Sequence, residues 1–378
     1  MKTAPSDHEL PGLYVHVPFC RGKCPYCDFY STPALSLMEA WLSAVKKEAL
    51  FYSGSFPAFN SLYIGGGTPT VLSDAALKDL IDFMRAHFTF TDETEITVEA
   101  NPEDVAEEKL SALLACGVNR LSIGAQSFND KELATLKRRH SARDAEAALE
   151  CARTAGFGNI GIDLIYLIPG QTEESWMNSL QRALSFEPIH LSCYQMTYEE
   201  GTAFGRMRAD DRIAAVEEET ERRFLLLTSR FLEEHGFIHY EISNFARDEA
   251  SRSRHNGKYW RHVPYLGLGP SAHSFDGESR WWNVRSVKQY CRALDTNVRP
   301  IEGSEILTKE QLRLERLFLG LRTCDGISLA DACTAAHPED VLAPLARSGL
   351  IRLENGRVFP TPEGFLVADR LPLLLPDN

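Results

Sequence analysis

Cys20, Cys24 and Cys27 lie within eight residues, in the stretch Cys20-Arg-Gly-Lys-Cys24-Pro-Tyr-Cys27. Thiolates spaced this closely can converge on one metal centre. A structural tetrahedral zinc needs four ligands. No nearby Cys or His obviously completes that set; His16 is close in the chain but belongs to a strand-like run. A [4Fe–4S] cluster has four irons, so three thiolates leave one of them without a protein ligand. Such an open iron can chelate a small molecule through an amine and a carboxylate, and can pass it one electron.

Other residues suit the same chemistry. The run Ile64-Gly65-Gly66-Gly67-Thr68-Pro69 is expected to bare backbone amides and carbonyls at a strand end. It lacks the spacing of a phosphate-binding P-loop. Glu99, Gln126 and Asp163 fall in or just after apolar strand-like runs. Polar groups there are costly to bury unless bonded, so they point to a wet cavity or to dedicated partners. Arg138, taken alone, reads as a solvated helix charge. In His255-Asn256-Gly257-Lys258-Tyr259-Trp260 the imidazole suits the axial position of a heme iron, and Tyr259 and Trp260 suit stacking on a macrocycle. The plainer reading is a surface turn whose aromatics anchor it.

These residues need elements to position them. From Leu13 to about Phe186 short β-type runs alternate with amphipathic stretches, which reads as βα units around a parallel sheet. Strands are predicted at 13–17, 61–64, 95–100, 120–125, 160–166 and 189–194. Helix signals lie between them: Asn101-Pro102 as cap and first position of a helix ending at Cys116-Gly117, Ser141 capping a stretch that stops at Gly156, and Thr172 capping one through Phe186. Six units are too few for a closed eight-unit barrel. The fold class is therefore α/β, a partial open (β/α)6 TIM-type barrel, with ligand groups gathered where strands end.

Further along, a charged helix from about Asp210 to His235 and short aromatic strands at HYEISNFA and WWNVRSV extend or cover the sheet. A helix, a second helix and an Asn355-Gly356 hairpin then make a small winged-helix-like domain. The divisions are 1–12 (tail), 13–235 (barrel with the cysteine loop), 236–305 (sheet extension and the HNGKYW segment) and 306–378 (small C-terminal domain).

The net charge of −13 repels a phosphate backbone, so nucleic acid is not expected as a partner. The first residues carry no apolar leader, and no stretch near 18 apolar residues occurs, so a cytoplasmic protein is expected. Nine cysteines without a secretory signal fit a reducing compartment. The six outside the cluster, Cys116, Cys151, Cys193, Cys291, Cys324 and Cys333, read as small buried hydrophobes.

The C-x-x-x-C-x-x-C spacing resembles the radical S-adenosylmethionine (SAM) superfamily, in which the open iron binds the methionyl end of SAM. YVHVPFC, CPYCDF, GGGTPT, EANPE, RLSIGAQSF, GIDLIYLIPGQT, HYEISNFA and YLGLGPSAHSF together resemble the HemN/HemW family, over nearly the whole chain. That family comprises the oxygen-independent coproporphyrinogen III dehydrogenase and a related heme chaperone. The resemblance implies a [4Fe–4S] cluster on Cys20, Cys24 and Cys27, with Tyr14, Gly66 and Glu99 at its bound SAM. Tyr26, Gly67, Thr68, Gln126, Arg138, Asp163 and, less closely, Thr197 match a second SAM site of the dehydrogenase.

The dehydrogenase has a further cysteine two residues after its third ligand, where this chain has Phe29. That departure puts decarboxylation in doubt. Together with the His-Asn-x-x-Tyr-Trp stretch it favours the chaperone branch, with heme as cargo and recipient hemoproteins as partners. Contact with the inner membrane face follows if those recipients are membrane proteins, and monomer and dimer both stay open. The competing readings are the dehydrogenase and a zinc-stabilised interaction protein.

Overall fold

The chain is described from a computed structural model that covers residues 9–375 except 334 and 336; most of the expected 1–12 tail lies outside the described residues. The alternating sequence folds into six successive strands: β1 (Gly12–Val17), β2 (Phe59–Gly66), β3 (Phe90–Ala100), β4 (Arg120–Gln126), β5 (Ile160–Tyr166) and β6 (His190–Gln195). Each pairs in parallel with the next. Successive side chains point to opposite faces of a strand. On β4, Leu121, Ile123 and Ala125 are fully buried and join the core with helix residues such as Trp41, Leu80 and Leu149. Arg120, Ser122, Gly124 and Gln126 take the other face, towards a central cavity.

The later aromatic segments extend this sheet at both ends. β7 (Ile238–Glu241) and β8 (Asn244–Ala246) add antiparallel strands beyond β6. β9 (Tyr265–Leu268) runs parallel to β1, followed by antiparallel β10 (His273–Phe275), β11 (Ser279–Asn283) and β12 (Ile301–Ile306). The sheet has twelve strands in the order β12-β11-β10-β9-β1-β2-β3-β4-β5-β6-β8-β7, and among the described residues its two ends do not pair. The barrel is open, and β9 gives it a seventh parallel strand. Tyr-Leu-Gly-Leu is too short for its alternation to show in sequence.

Several helix expectations are corrected. Pro102–Asp104 is only a 3-10 turn, and the helix that follows runs Glu107–Ala115 with Ala106 at its cap. The side chain of Asn101 is used elsewhere, as described below. Ser141 caps Ala142–Ala155 with a full capping box, Gly156 ends it with φ 106°, and Thr172 caps Glu173–Leu184, all as expected. The charged helix starts at Glu218, not near Asp210, and runs to Glu234; Ala203–Ala209 is a separate helix. Between them Asp211 takes φ 55°, a left-handed conformation that interrupts a helix. The WWNVRSV strand stops at Asn283, and Ser286 caps a helix over Val287–Asp295. HNGKYW is neither a turn nor exposed: Arg254–Trp260 is helical, with the Ser253 side chain accepting from the Asn256 amide.

The C-terminal region keeps the expected helix, helix, hairpin order. Helices Lys309–Gly320 and Pro338–Arg347 pack on a three-stranded antiparallel sheet of β13 (Ile327–Ser328), β15 (Arg357–Pro360) and β14 (Ile351–Glu354). Leu317, Leu321, Ile327, Leu342, Val358 and Leu371 form a core of its own. Asn355 (φ 50°) and Gly356 (φ 72°) make the tight turn. Of the six dispersed cysteines, Cys116, Cys193 and Cys333 are buried, and Cys151, Cys291 and Cys324 are half-buried.

Candidate functional site

The cysteine loop leaves the end of β1 and is closed at its base: Cys20 N donates to Thr32 O (3.1 Å) and Thr32 N to Pro18 O (2.8 Å). The glycine run leaves the neighbouring strand beside it. Its amides are not bare, which corrects the sequence expectation. Gly67 N donates to Val17 O (2.8 Å), Thr68 N to Phe19 O (2.8 Å) and Gly66 N to Glu99 Oε2 (3.0 Å). The glycines instead permit close approach. A Cβ on Gly65 would lie 2.8 Å from the Glu99 carboxylate, and one on Gly67 would lie 2.6 Å from Phe19 O.

A chain of polar side chains ties this seam to the next strands. Cys20 Sγ lies 3.3 Å from Thr68 Oγ1, and Asn101 Nδ2 donates to Thr68 Oγ1 (2.9 Å). Arg138 donates to Asn101 Oδ1 (2.5 Å), Gly124 O (3.0 Å) and Tyr26 Oη (3.4 Å), with a longer contact to Cys24 Sγ (3.7 Å). Arg138 is therefore no solvated helix charge. Its Nε is buried without a partner.

Tyr14, Tyr26, Gly66, Gly67, Thr68, Glu99, Gln126, Arg138, Asp163 and Thr197 line one cavity of about 1380 Å³, together with the three cysteines. Glu99 accepts from Tyr63 Oη (2.8 Å) as well as from Gly66. Burial, with some repulsion from Asp163, pushes the Glu99 carboxyl up to about 7. Burial also raises Asp163, despite its bond from Ser122 Oγ (3.0 Å). The thiols of Cys20 and Cys27 are raised by burial, Cys27 to about 11.

His16 is no free ligand. Its Nε2 faces Tyr30 O and its Nδ1 faces Tyr14 Oη, both at 2.9 Å, and burial lowers its pKa to about 4. The carbonyl can only accept, so Nε2 donates and Nδ1 accepts. The heme candidates divide. His255 and Tyr259 face the cavity, whereas half-buried Trp260 does not line it. His255 is 1% exposed, with Nδ1 3.0 Å from Ser61 Oγ and Nε2 3.0 Å from Tyr259 Oη. Its ring stacks on Tyr63, and burial lowers its pKa to about 3. An axial bond from His255 to a heme iron would displace one of those partners.

Sequence reasoning missed Asn101, Tyr63, Ser122 and Arg120. The signal was available for three of them: Asn101 stands two residues after Glu99, and Arg120 and Ser122 share the inward alternation of Gln126.

Residues 14–183 match the Radical SAM superfamily and residues 307–367 the HemN C-terminal domain. The chain is 35% identical to the heme chaperone HemW of Mycobacterium tuberculosis, covering 97% of this chain and 95% of that protein. For HemW of Bacillus subtilis the identity is 36%, covering 96% and 98%. The chain belongs to the HemN/HemW family of radical SAM proteins. The solved HemN of Escherichia coli, described as a coproporphyrinogen III oxidase and a radical SAM enzyme, superposes with a TM-score of 0.83 at 27% identity, covering 97% of this chain and 90% of that one.

Membership of the radical SAM family implies a [4Fe–4S] cluster and SAM, and the donor set here fits both. Three thiols share a loop beside the cavity, the number that a cubane with one open iron takes from the protein. Glu99 and Asp163 supply acceptors for a cationic ligand.

The raised Glu99 carboxyl has a stability consequence. A glutamate in the unfolded chain titrates near 4.3, so the folded chain holds this proton more tightly. Its contribution is fully present below that value and is lost as pH rises through about 7. Relative to wild type, cluster-free Glu99→Gln should gain stability, by up to about 3 kcal/mol, as pH rises from about 5 to about 8. Denaturant unfolding of both proteins across that range measures it; a stability gap independent of pH would contradict it.

Proposed function

We propose that this protein binds heme and delivers it to recipient hemoproteins, with Cys20, Cys24 and Cys27 holding a [4Fe–4S] cluster and the cavity holding SAM. When bound, the cluster supplies an open iron corner and one electron. Glu99, anchored by Tyr63 and Gly66, is set to accept from the SAM amine; Arg138, fixed by Asn101 and Gly124, holds Tyr26 of the cysteine loop.

The observation that carries this reading is Phe29. It is 67% exposed at the cavity, two residues after Cys27, where the decarboxylating relatives place a cysteine. Near full-length similarity to proteins named heme chaperone supports it. An exposed phenyl offers a flat apolar face to a macrocycle, whereas a thiol there would serve chemistry. His255 and Tyr259 belong to the proposal only as groups at the cavity's inner end, reached after Ser61 or Tyr259 releases the imidazole.

Among the described residues no helix is long and apolar enough to cross a membrane. Cytoplasmic residence, transient contact with a membrane face and the recipient hemoproteins are part of the proposal.

Titrating hemin into the reconstituted protein should give a saturable Soret change at about one heme per chain, and no binding would overturn the proposal. The likeness to HemN favours one competing reading. Anaerobic conversion of coproporphyrinogen III to protoporphyrinogen by this protein would establish that reading instead. Zinc without iron or sulfide in the purified protein would point to the structural-metal reading.

A further inference from the structure

The inner end of the barrel contains polar groups that the cluster and SAM do not use. Register places Tyr63, Thr97 and Arg120 side by side across β2, β3 and β4, and, one inward step nearer the cysteine loop, Ser122, Gly161 and His190 side by side across β4, β5 and β6. Thr97, with Arg120 beside it, lies two residues, about 7 Å, deeper than Glu99 along the strand. Thr97, Arg120 and His190 are 0%, 1% and 1% exposed. Thr97 Oγ1, Arg120 Nε and His190 Nδ1 are all buried without a hydrogen-bond partner. Native interiors leave few such atoms, and three on adjoining rows, with Arg120 and His190 reaching the same space beside Gly161, point to an absent partner.

All three groups can donate. Tyr240 Oη accepts from Ser253 N (3.4 Å) and lies 2.8 Å from His190 Nε2. When the hydroxyl hydrogen goes to Nε2, the imidazole proton sits on Nδ1, which is the tautomer the subsite requires. Arg120 forms no ion pair among the described residues, although Glu95 and Asp163 are close enough to act on it electrostatically. Glu95 is bonded instead to the amides of Arg254 and His255, and Asp163 to Ser122. Gly161 leaves room between the donors: a Cβ there would stand 3.3 Å from His190 Nδ1 and 3.4 Å from Arg120 Nη2.

We propose that Arg120, His190 and Thr97 form a buried oxyanion subsite at the inner end of the barrel, which takes a carboxylate entering along the cavity. A carboxylate has acceptors for all three donors and a charge to match the guanidinium. It comes either from a small free acid or from the carboxylate arm of a larger ligand held nearer the cysteine loop. The subsite does not depend on the heme reading.

The test uses the anaerobically reconstituted full chain, with formate as probe and uncharged formamide as control at constant ionic strength. Formate should raise the melting temperature saturably, and formamide should not. Gly161→Ala retains every donor and fills the space between them; with the His190 and Arg120 side chains yielding by a few tenths of an ångström it should fold, as its circular dichroism will show, and weaken the formate response by about tenfold or more. No saturable formate effect in wild type, an equal effect in Gly161→Ala, or a crystal structure grown in formate with only water between Arg120 and His190 would overturn the proposal. Displacement of ¹³C-formate separates the sources. Loss with hemin but not with its dimethyl ester supports the subsite with a porphyrin arm as occupant; retention with both supports it with a small free acid.

Discussion

Reconstituted Cys24→Ser should hold less than about one iron per chain, against about four in wild type, and should lose the broad visible absorption of the cluster. The reason is the absence of a substitute ligand. His16, the nearest imidazole in the chain, has both ring nitrogens engaged, by Tyr14 and Tyr30. Two thiolates remain for four irons. The fold itself should survive, because Cys24 is half-buried on a loop and contributes nothing to the core. Far-ultraviolet circular dichroism and melting of the cluster-free variant should match cluster-free wild type. Cys193→Ser is the contrasting control: that thiol is fully buried behind the sheet, so the variant should keep its iron and lose stability. Equal iron in Cys24→Ser and wild type would remove the cluster from these cysteines.

The second large effect is expected at Gly67→Ala. The added methyl carbon would come within 2.6 Å of Phe19 O and 2.8 Å of Val17 O, both rigid backbone atoms. The two loops must separate there. Separation breaks the bonds of Gly67 N and Thr68 N to the end of β1, and removes Thr68 from Cys20. One methyl group should therefore lower both cluster occupancy and SAM affinity, the latter by about tenfold or more. Gly22→Ala, also on the cysteine loop, meets nothing within 4 Å and should leave both unchanged. Iron analysis and equilibrium dialysis of SAM on the two variants decide it; similar behaviour would mean that the seam is not rigid.

Most of the barrel is legible in the sequence because buried parallel strands are continuous apolar runs ended by turn residues. IGIDLIY has the bounds of β5, and Ser141 and Gly156 bracket their helix as their chemistry requires. The cysteine motif is legible for a different reason: its chemistry depends on local spacing. What the sequence hides is the use of a side chain by partners distant in the chain. Asn101 reads as a helix cap, yet its amide links Thr68 to Arg138, 33 and 37 residues away. The glycine amides read as open, but Glu99 takes that of Gly66 and the end of β1 that of Gly67. His255 reads as surface chemistry, yet its helix lies against the barrel interior, bonded to Ser61 on β2. Such pairings are tertiary, and neither propensity nor periodicity encodes them.

The same limit applies to Arg120. In RLSIGAQ the arginine marks the start of a strand and would ordinarily be placed in solvent. Alternation with Ser122 and Gln126 turns it inward, but only the folded chain sets it beside Thr97 and brings its Nη2 to the space by Gly161 that His190 Nδ1 also faces. The inward face of the barrel thus has two levels of polar groups: Glu99, Asp163 and Arg138 near the cysteine loop, and Arg120 with His190 below them. The upper level suits a cation and the lower an anion, which would orient a ligand carrying both.

The account rests on a cluster held at three corners and open at the fourth, and ⁵⁷Fe Mössbauer spectroscopy of anaerobically reconstituted protein tests this most directly. With SAM added, one iron of about four should change its isomer shift and quadrupole splitting while the others keep theirs. A spectrum indifferent to SAM, with every iron in the same all-sulfur environment, would contradict it.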